Sequence, residues 1–133
     1  MGVYLGSEGM NVDISAAEMK AYWATAQRRW EEERRQLGLR HKHAWALAHE
    51  AAALLRREYG IERVVVFGSL VRSELFHPRS DVDLVVWGLG ETHYYRAIAR
   101  LLALDPAFEI DLLRGEEIPD SLQAGIEKEA IEL

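Results

Sequence analysis

Apolar positions follow two different rhythms along the chain, and the change comes near Gly60. Across residues 15–59 they recur at helical spacing: Met19, Trp23, Ala26 and Trp30, then Trp45, Ala48, Ala52, Leu55 and Tyr59. No proline interrupts this stretch and Gly38 is its single glycine, so two helices or one bent helix are expected, with Gly38 at a helix end or a kink. Ser15, followed three residues on by Glu18, matches a capping box and places the first helical residue near Ala16. Residues 28–35 mix both charge signs and read as a solvated helix face held by weak pairs one turn apart. Trp23 and Trp30 lie one heptad apart, a spacing that suits packing on this chain or a seam with a partner helix.

Beyond Gly60 the apolar runs shorten and become rich in Val, Ile, Leu and Phe. Residues 61–67, 82–87 and 108–113 are expected strands, bounded by Gly, Pro, Asp or Arg. Tyr95, Ile98, Leu101 and Leu102 mark a helix over 92–104, stopped before Asp105-Pro106, and a short helix should follow Pro119. Helices alternating with strands predict an α/β (α+β) domain, a small mixed sheet flanked by helices and preceded by a long N-terminal helical region. The expected organisation is one domain over 1–133, with 1–14 flexible, 15–59 helical and 60–133 forming the α/β core.

Composition narrows the class. A chain of 133 residues fits one domain, and 49% hydrophobic with 29% charged residues is the profile of a chain that buries a core. Without cysteine there is neither a disulfide framework nor a thiolate zinc site, so a reducing compartment is the simplest home. No signal-like N-terminus and no apolar run of about 18 residues is present, which leads to a cytoplasmic expectation and no membrane. A net charge of −6 argues against charge-driven binding of long nucleic acid.

The candidate chemistry is concentrated between Val66 and Val86. An apolar strand runs into Gly68-Ser69 and then into residues 70–75, where a helix can start. Glycine permits close backbone approach, and a serine hydroxyl with free N–H groups makes a phosphate seat; alone, the pair is an ordinary turn with a cap. Asp81 and Asp83 alternate at the start of a strand and leave the same face. Their repulsion is relieved by solvent in a loop, or by a hard cation such as Mg²⁺. Asp111 lies in an apolar run where burial of a lone acid is costly, so either it faces water at a sheet edge or it meets the other two acids. In the second case three carboxylates converge as in two-metal phosphoryl transfer, with ions about 3.5–4 Å apart. His41, His43 and His77 read as surface histidines, and no zinc site, P-loop lysine or Rossmann fingerprint is found.

Taken together, Gly68-Ser69, Arg72 and Ser80-Asp81-Val82-Asp83-Leu84 resemble the signature of the nucleotidyltransferase superfamily that includes DNA polymerase β, and in particular its minimal nucleotidyltransferases. The resemblance runs from about residue 51 to the last residue. It implies the nucleotidyltransferase fold, with Gly68, Ser69 and Arg72 binding the triphosphate of ATP and Asp81, Asp83 and Asp111 acting catalytically. It further implies Asp81 and Asp83 on one Mg²⁺ and Asp111 on a second, with Asp111 helping to activate the attacking hydroxyl. Leu70, Val71 and Leu75 are expected to pack a helix. Two departures concern the phosphate geometry: Arg72-Ser73 stands where many relatives have Arg-Gly, and residues 70–80 form a loop one residue longer than the common form. The minimal members are similar to antitoxins of HEPN/MNT-type toxin–antitoxin pairs, some of which add AMP to a tyrosine of a helical HEPN-domain partner. Two alternatives stay open: a non-catalytic antitoxin that occludes its partner, and a small-molecule nucleotidyltransferase acting as a homodimer.

Overall fold

The computed structural model describes residues 15–133 in full and, before them, the backbone of Gly2–Tyr4 and Asn11–Asp13. The chain divides into two compact units, Met1–Gln36 and Leu37–Leu133. In the first, strands β1 (Gly2–Tyr4) and β2 (Asn11–Asp13) pair antiparallel. The rest of residues 1–14, expected to be flexible, lies outside the described residues.

Helix α1 (Ala16–Tyr59) begins as its cap dictates, with the Ser15 hydroxyl accepting the Glu18 N–H at 3.1 Å. It runs through Gly38 without ending there, so of the two alternatives a single helix is found and not two. Gly38 does not take a positive φ, and it is flanked by Leu37, Leu39 and Arg40, strong helix formers that carry a single glycine at a cost of only about 1 kcal/mol. The helix stops at Gly60 instead, whose φ of +66° ends the spiral while its N–H reaches the Arg56 carbonyl at 3.1 Å.

In the second unit, β3 (Arg63–Phe67), β4 (Val82–Trp87), β5 (Ile110–Arg114) and β6 (Ile131–Glu132) form one sheet in the order β5-β4-β3-β6. β3 pairs antiparallel with β4 and with β6, and β4 pairs parallel with β5. The parallel step requires a crossover, supplied by α2 (Glu91–Leu102). One face of the sheet presents Val64, Val66, Leu84, Val86, Ile110 and Leu112 to the alanine-rich side of α1, including Ala44, Ala48 and Ala51, and to Ala97 and Leu101 of α2. Small helix residues let the sheet approach closely, and each fully buried Val or Leu contributes roughly 1.5–3 kcal/mol. The opposite face carries, in register, Phe67, Asp83 and Asp111, and one pair further along, Val65, Val85 and Leu113.

Two further differences from expectation concern short elements. After Gly68-Ser69 no α-helix forms; the chain makes two single 3₁₀ turns, Gly68–Leu70 and Ser73–Leu75, separated by Arg72 at φ −99° and ψ +86°. The connection must return at once to β4, so no packing face develops: Leu70 is buried and Val71 packs against the core, but Leu75 is 52% exposed. β6 is a two-residue strand after α3 (Asp120–Glu129), too short for a periodic signal. Its Glu132 and Glu127 of α3 both accept bonds from Arg63, at 2.8 and 3.0 Å, and the Arg63 guanidinium lies 4.2 Å over the Trp87 ring.

Candidate active site

The hairpin of β3 and β4 places Phe67 opposite Asp83, so the turn that leaves β3 passes directly over the Asp83 carboxylate. Gly68 takes a φ of +77°, and a Cβ added there would stand 2.6 Å from Asp83 Oδ2. Glycine is needed at this position on both counts. The N–H groups of Val71 and Arg72 both reach the Gly68 carbonyl at 3.1 Å, which closes the turn around Ser69.

The return loop is fixed by its own side chains. Ser80, buried, accepts the His77 N–H on its hydroxyl at 2.9 Å, and its own N–H reaches the His77 carbonyl at 2.9 Å. These bonds deliver Asp81 one residue ahead of β4, and Asp83 as its second residue. Asp111, second residue of β5, pairs with Asp83 in the parallel register. The edge-strand alternative for Asp111 is the one found, since β5 is an edge strand and Asp111 is exposed; its side chain stands beside Asp83, but the three acids do not converge on one point among the described residues.

The electrostatics follow from this crowding. Asp83 is pushed up to about 6, first by burial, then by the charge of Asp111 and a hydrogen bond with it, and last by the charge of Asp81. Two carboxyl groups within hydrogen-bond reach must share a proton or a cation. Hard oxygen donors of this kind suit a divalent ion such as Mg²⁺, which would relieve the repulsion. As they stand, no three acidic or imidazole groups among the described residues surround a common point; Asp83 meets Asp111, while Asp81 acts on it through charge. Asp83 and Asp111 are the donors that would hold such a cation, and it would supply the positive charge that their proximity lacks.

Two cavities meet at Phe67. One, of about 370 Å³, is lined by Gly68, Ser69 and Arg72 on one wall and by Leu122, Ile126 and Glu129 on the other. Arg72 is half-exposed and lies 3.8 Å from Glu129 and 3.4 Å from Glu74. The other cavity, about 500 Å³, holds Asp83 and Asp111 together with Tyr94 and Ile98 of α2. Ser69 and Arg72 thus face one space and the Asp83–Asp111 pair the next.

Several residues at the site carry no sequence signal. His41 is not a free surface histidine: it is half-buried, its Nε2 bonds the Leu70 carbonyl at 2.9 Å and its ring meets Phe76 edge-on at 4.8 Å. A histidine on a long helix gives no hint of a partner far along the chain. His43 stays exposed but pairs with Asp105 at 2.6 Å, and His77 is exposed as expected. Tyr94, and not the Tyr95 of the expected apolar spacing, turns inward: Tyr95 is 80% exposed, while the Tyr94 hydroxyl reaches the Leu112 carbonyl at 2.5 Å inside the larger cavity.

The sequence profile of the family described as polymerase beta, nucleotidyltransferase matches residues 49–133. No curated protein matches the chain at a significant level. Among solved structures, a mutant of the toxin–antitoxin pair MntA–HpeT is similar, with a TM-score of 0.53 and 16% identity over 64% of this chain and 70% of that one. A second, a toxin–antitoxin with AMP-PNP, has a TM-score of 0.52 and 17% identity over 62% of this chain and 69% of the other. The mixed four-stranded sheet with its helices thus has the architecture of those chains. Among the described residues no helix is long and apolar enough to cross a membrane.

Proposed function

We propose, starting from a chain that belongs to the polymerase beta nucleotidyltransferase family, that it transfers AMP from ATP to a hydroxyl of a partner protein, as the antitoxin half of a toxin–antitoxin pair in the cytoplasm. The observation that carries this reading is the Asp83–Asp111 pair beside the Gly68-Ser69 turn, where Gly68 leaves the backbone free of a Cβ directly over the Asp83 carboxylate; it supports a cation at the acids and a phosphate at the turn. Similar solved structures of a toxin–antitoxin, one of them with AMP-PNP, support the choice of nucleotide and partner.

In this mechanism Gly68, Ser69 and Arg72 receive the triphosphate, and Arg72 exchanges its contacts with Glu74 and Glu129 for phosphate oxygens. Asp81, Asp83 and Asp111 would hold two Mg²⁺ ions, whose chemistry is to neutralise charge on the α-phosphate and the leaving pyrophosphate. The acceptor hydroxyl, presented from the larger cavity, bonds to the α-phosphorus as the bond from that phosphorus to the bridging oxygen of pyrophosphate breaks. Asp111 takes the hydroxyl proton. Adding a phosphate to a toxin of the HEPN ribonuclease kind would repel the RNA backbone from its cleft.

The test is intact-mass measurement of a helical protein encoded beside this one, co-expressed with it. A mass gain of one AMP that disappears in Asp83→Ala and Asp111→Ala supports transfer. An unmodified but stable complex shows inhibition by occlusion, and a homodimer that modifies only small molecules removes the protein acceptor.

A further inference from the structure

We propose that residues 16–33 of α1 are a dimerisation stem, which pairs antiparallel with the same residues of a second copy of this chain. The proposal makes no use of the acidic centre and is independent of the transferase reading.

Along this part of the helix Met19, Trp23, Ala26, Trp30 and Leu37 follow one another in steps of four and three, with Glu33 as the polar break. That is the seven-residue rhythm of a seam between two helices. The same phase continued along the sequence reaches Ala44, Leu47, Ala51 and Leu54, all of them buried. Before Leu37 the stripe is bare: Trp23 and Trp30 are 52% and 50% exposed, and Tyr22 at its flank 66%. Their rings meet edge-on, Tyr22 with Trp23 at 5.8 Å and Trp23 with Trp30 at 6.3 Å, so they form one patch. Two copies bring six such aromatic side chains of roughly 150–250 Å² each. Their exposed parts supply most of the about 1,000 Å² at which a specific interface begins.

Size and charge decide what covers the patch. With a two-fold axis between residues 24 and 25, Trp23 lies over Ala26 of the second copy and Trp30 over Met19, a large side chain on a smaller one in each layer. Beside the seam Tyr22 meets the Arg29 guanidinium and Lys20 meets Gln27, so no like charges oppose each other. Glu33 falls opposite Ala16 at the open end of the pairing, in water. Glu32 and Arg35 lie away from the seam and pair with each other at 2.7 Å. Parallel pairing in the same phase would set Glu33 on Glu33 inside the seam and Arg29 against Arg34 on both flanks. Shifting the antiparallel pairing by one heptad would set Arg29 on Arg29 and Lys20 against Arg34. The stripe is thus complementary to itself in one orientation and one register, as a two-fold interface requires.

Sedimentation equilibrium of the full chain tests this. The expected result is a reversible dimer of twice the 15.2 kDa chain mass, weakened about a hundredfold by Trp23→Glu or Trp30→Glu. Tyr95→Glu, at an aromatic residue 80% exposed on α2, should leave the dimer unchanged. Orientation is read separately on the otherwise native chain: it has no cysteine, so a nitroxide on Gln36→Cys is the single label. Antiparallel pairing holds the two labels about 35 Å apart, and parallel pairing about 10 Å. A chain that stays monomeric up to about 1 mM, a dimer that neither tryptophan variant weakens, or labels at the short distance overturns the inference. So does a stem that is occupied only when a different helical protein is co-expressed.

Discussion

The His41 imidazole and the Leu70 carbonyl, bonded at 2.9 Å, tie α1 to the turn that carries Gly68 and Ser69. The bond lies outside the acidic centre, so its loss should loosen the phosphate seat without touching the carboxylates. His41→Ala is expected to cost about 1–2 kcal/mol of stability and to weaken ATP binding more than it slows turnover at saturating ATP. His41→Gln, which keeps a donor, should recover part of the affinity. Titration calorimetry with ATP and Mg²⁺ decides the matter, and equal affinity in His41→Ala and wild type would dismiss the role.

Gly68→Ala meets two obstacles at once, a φ of +77° and the Asp83 carboxylate. The left-handed backbone alone costs roughly 1–2 kcal/mol, and relief of the clash must move either the turn or Asp83. Urea denaturation should show that loss, accompanied by abolished AMP transfer. A variant with wild-type stability and activity would contradict the described turn.

The raised Asp83 carboxyl makes stability depend on pH. Between the unfolded value near 3.9 and the folded value of about 6, the native state holds the proton more tightly. This group's contribution therefore falls as pH rises through that window, and above it the ionised side chain remains unfavourable. Asp83→Asn should melt above wild type at about pH 8 and lose that advantage as pH falls toward about 4. Mg²⁺ should raise the melting temperature of wild type and not of the variant. Identical melting curves at both pH values would show that the repulsion is absent.

Gly115 lies flat against the Trp87 indole, and a Cβ there would overlap ring atoms Nε1 and Cε2. Gly115→Ala is expected to destabilise by about 1–3 kcal/mol while leaving ATP affinity of the folded protein unchanged, since neither residue lines the cavity of Ser69 and Arg72. Calorimetric unfolding with parallel ATP titration measures both quantities.

Much of the scaffold was legible because local rules and tertiary packing agree. The run Leu84-Val85-Val86-Trp87 is apolar on consecutive positions, as a central strand buried on both faces must be, and it occupies such a strand. The helix expected over 92–104 is found as Glu91–Leu102. Gly68 next to Asp83 carried a recognisable pattern because hairpin neighbours are close in sequence. What escaped was contact across distance. The pairing of Asp83 with Asp111 depends on which strand β5 joins, which no spacing reveals. His41, Tyr94 and the two-residue β6 owe their places to partners elsewhere in the fold. Gly38 left two alternatives open because a glycine that ends a helix and one that is merely tolerated look alike until the backbone angle is known.

The crossover through α2 divides the active centre into unequal parts. The Gly68-Ser69 turn and two of the acids, Asp81 and Asp83, belong to one hairpin and assemble through short-range contacts, which form readily. The third acid arrives only after the chain has looped over the sheet and docked its last parallel strand. A folding intermediate with the hairpin alone would hold Gly68 against Asp83 yet lack Asp111, so the carboxyl pair is completed only when the far end of the domain is in place.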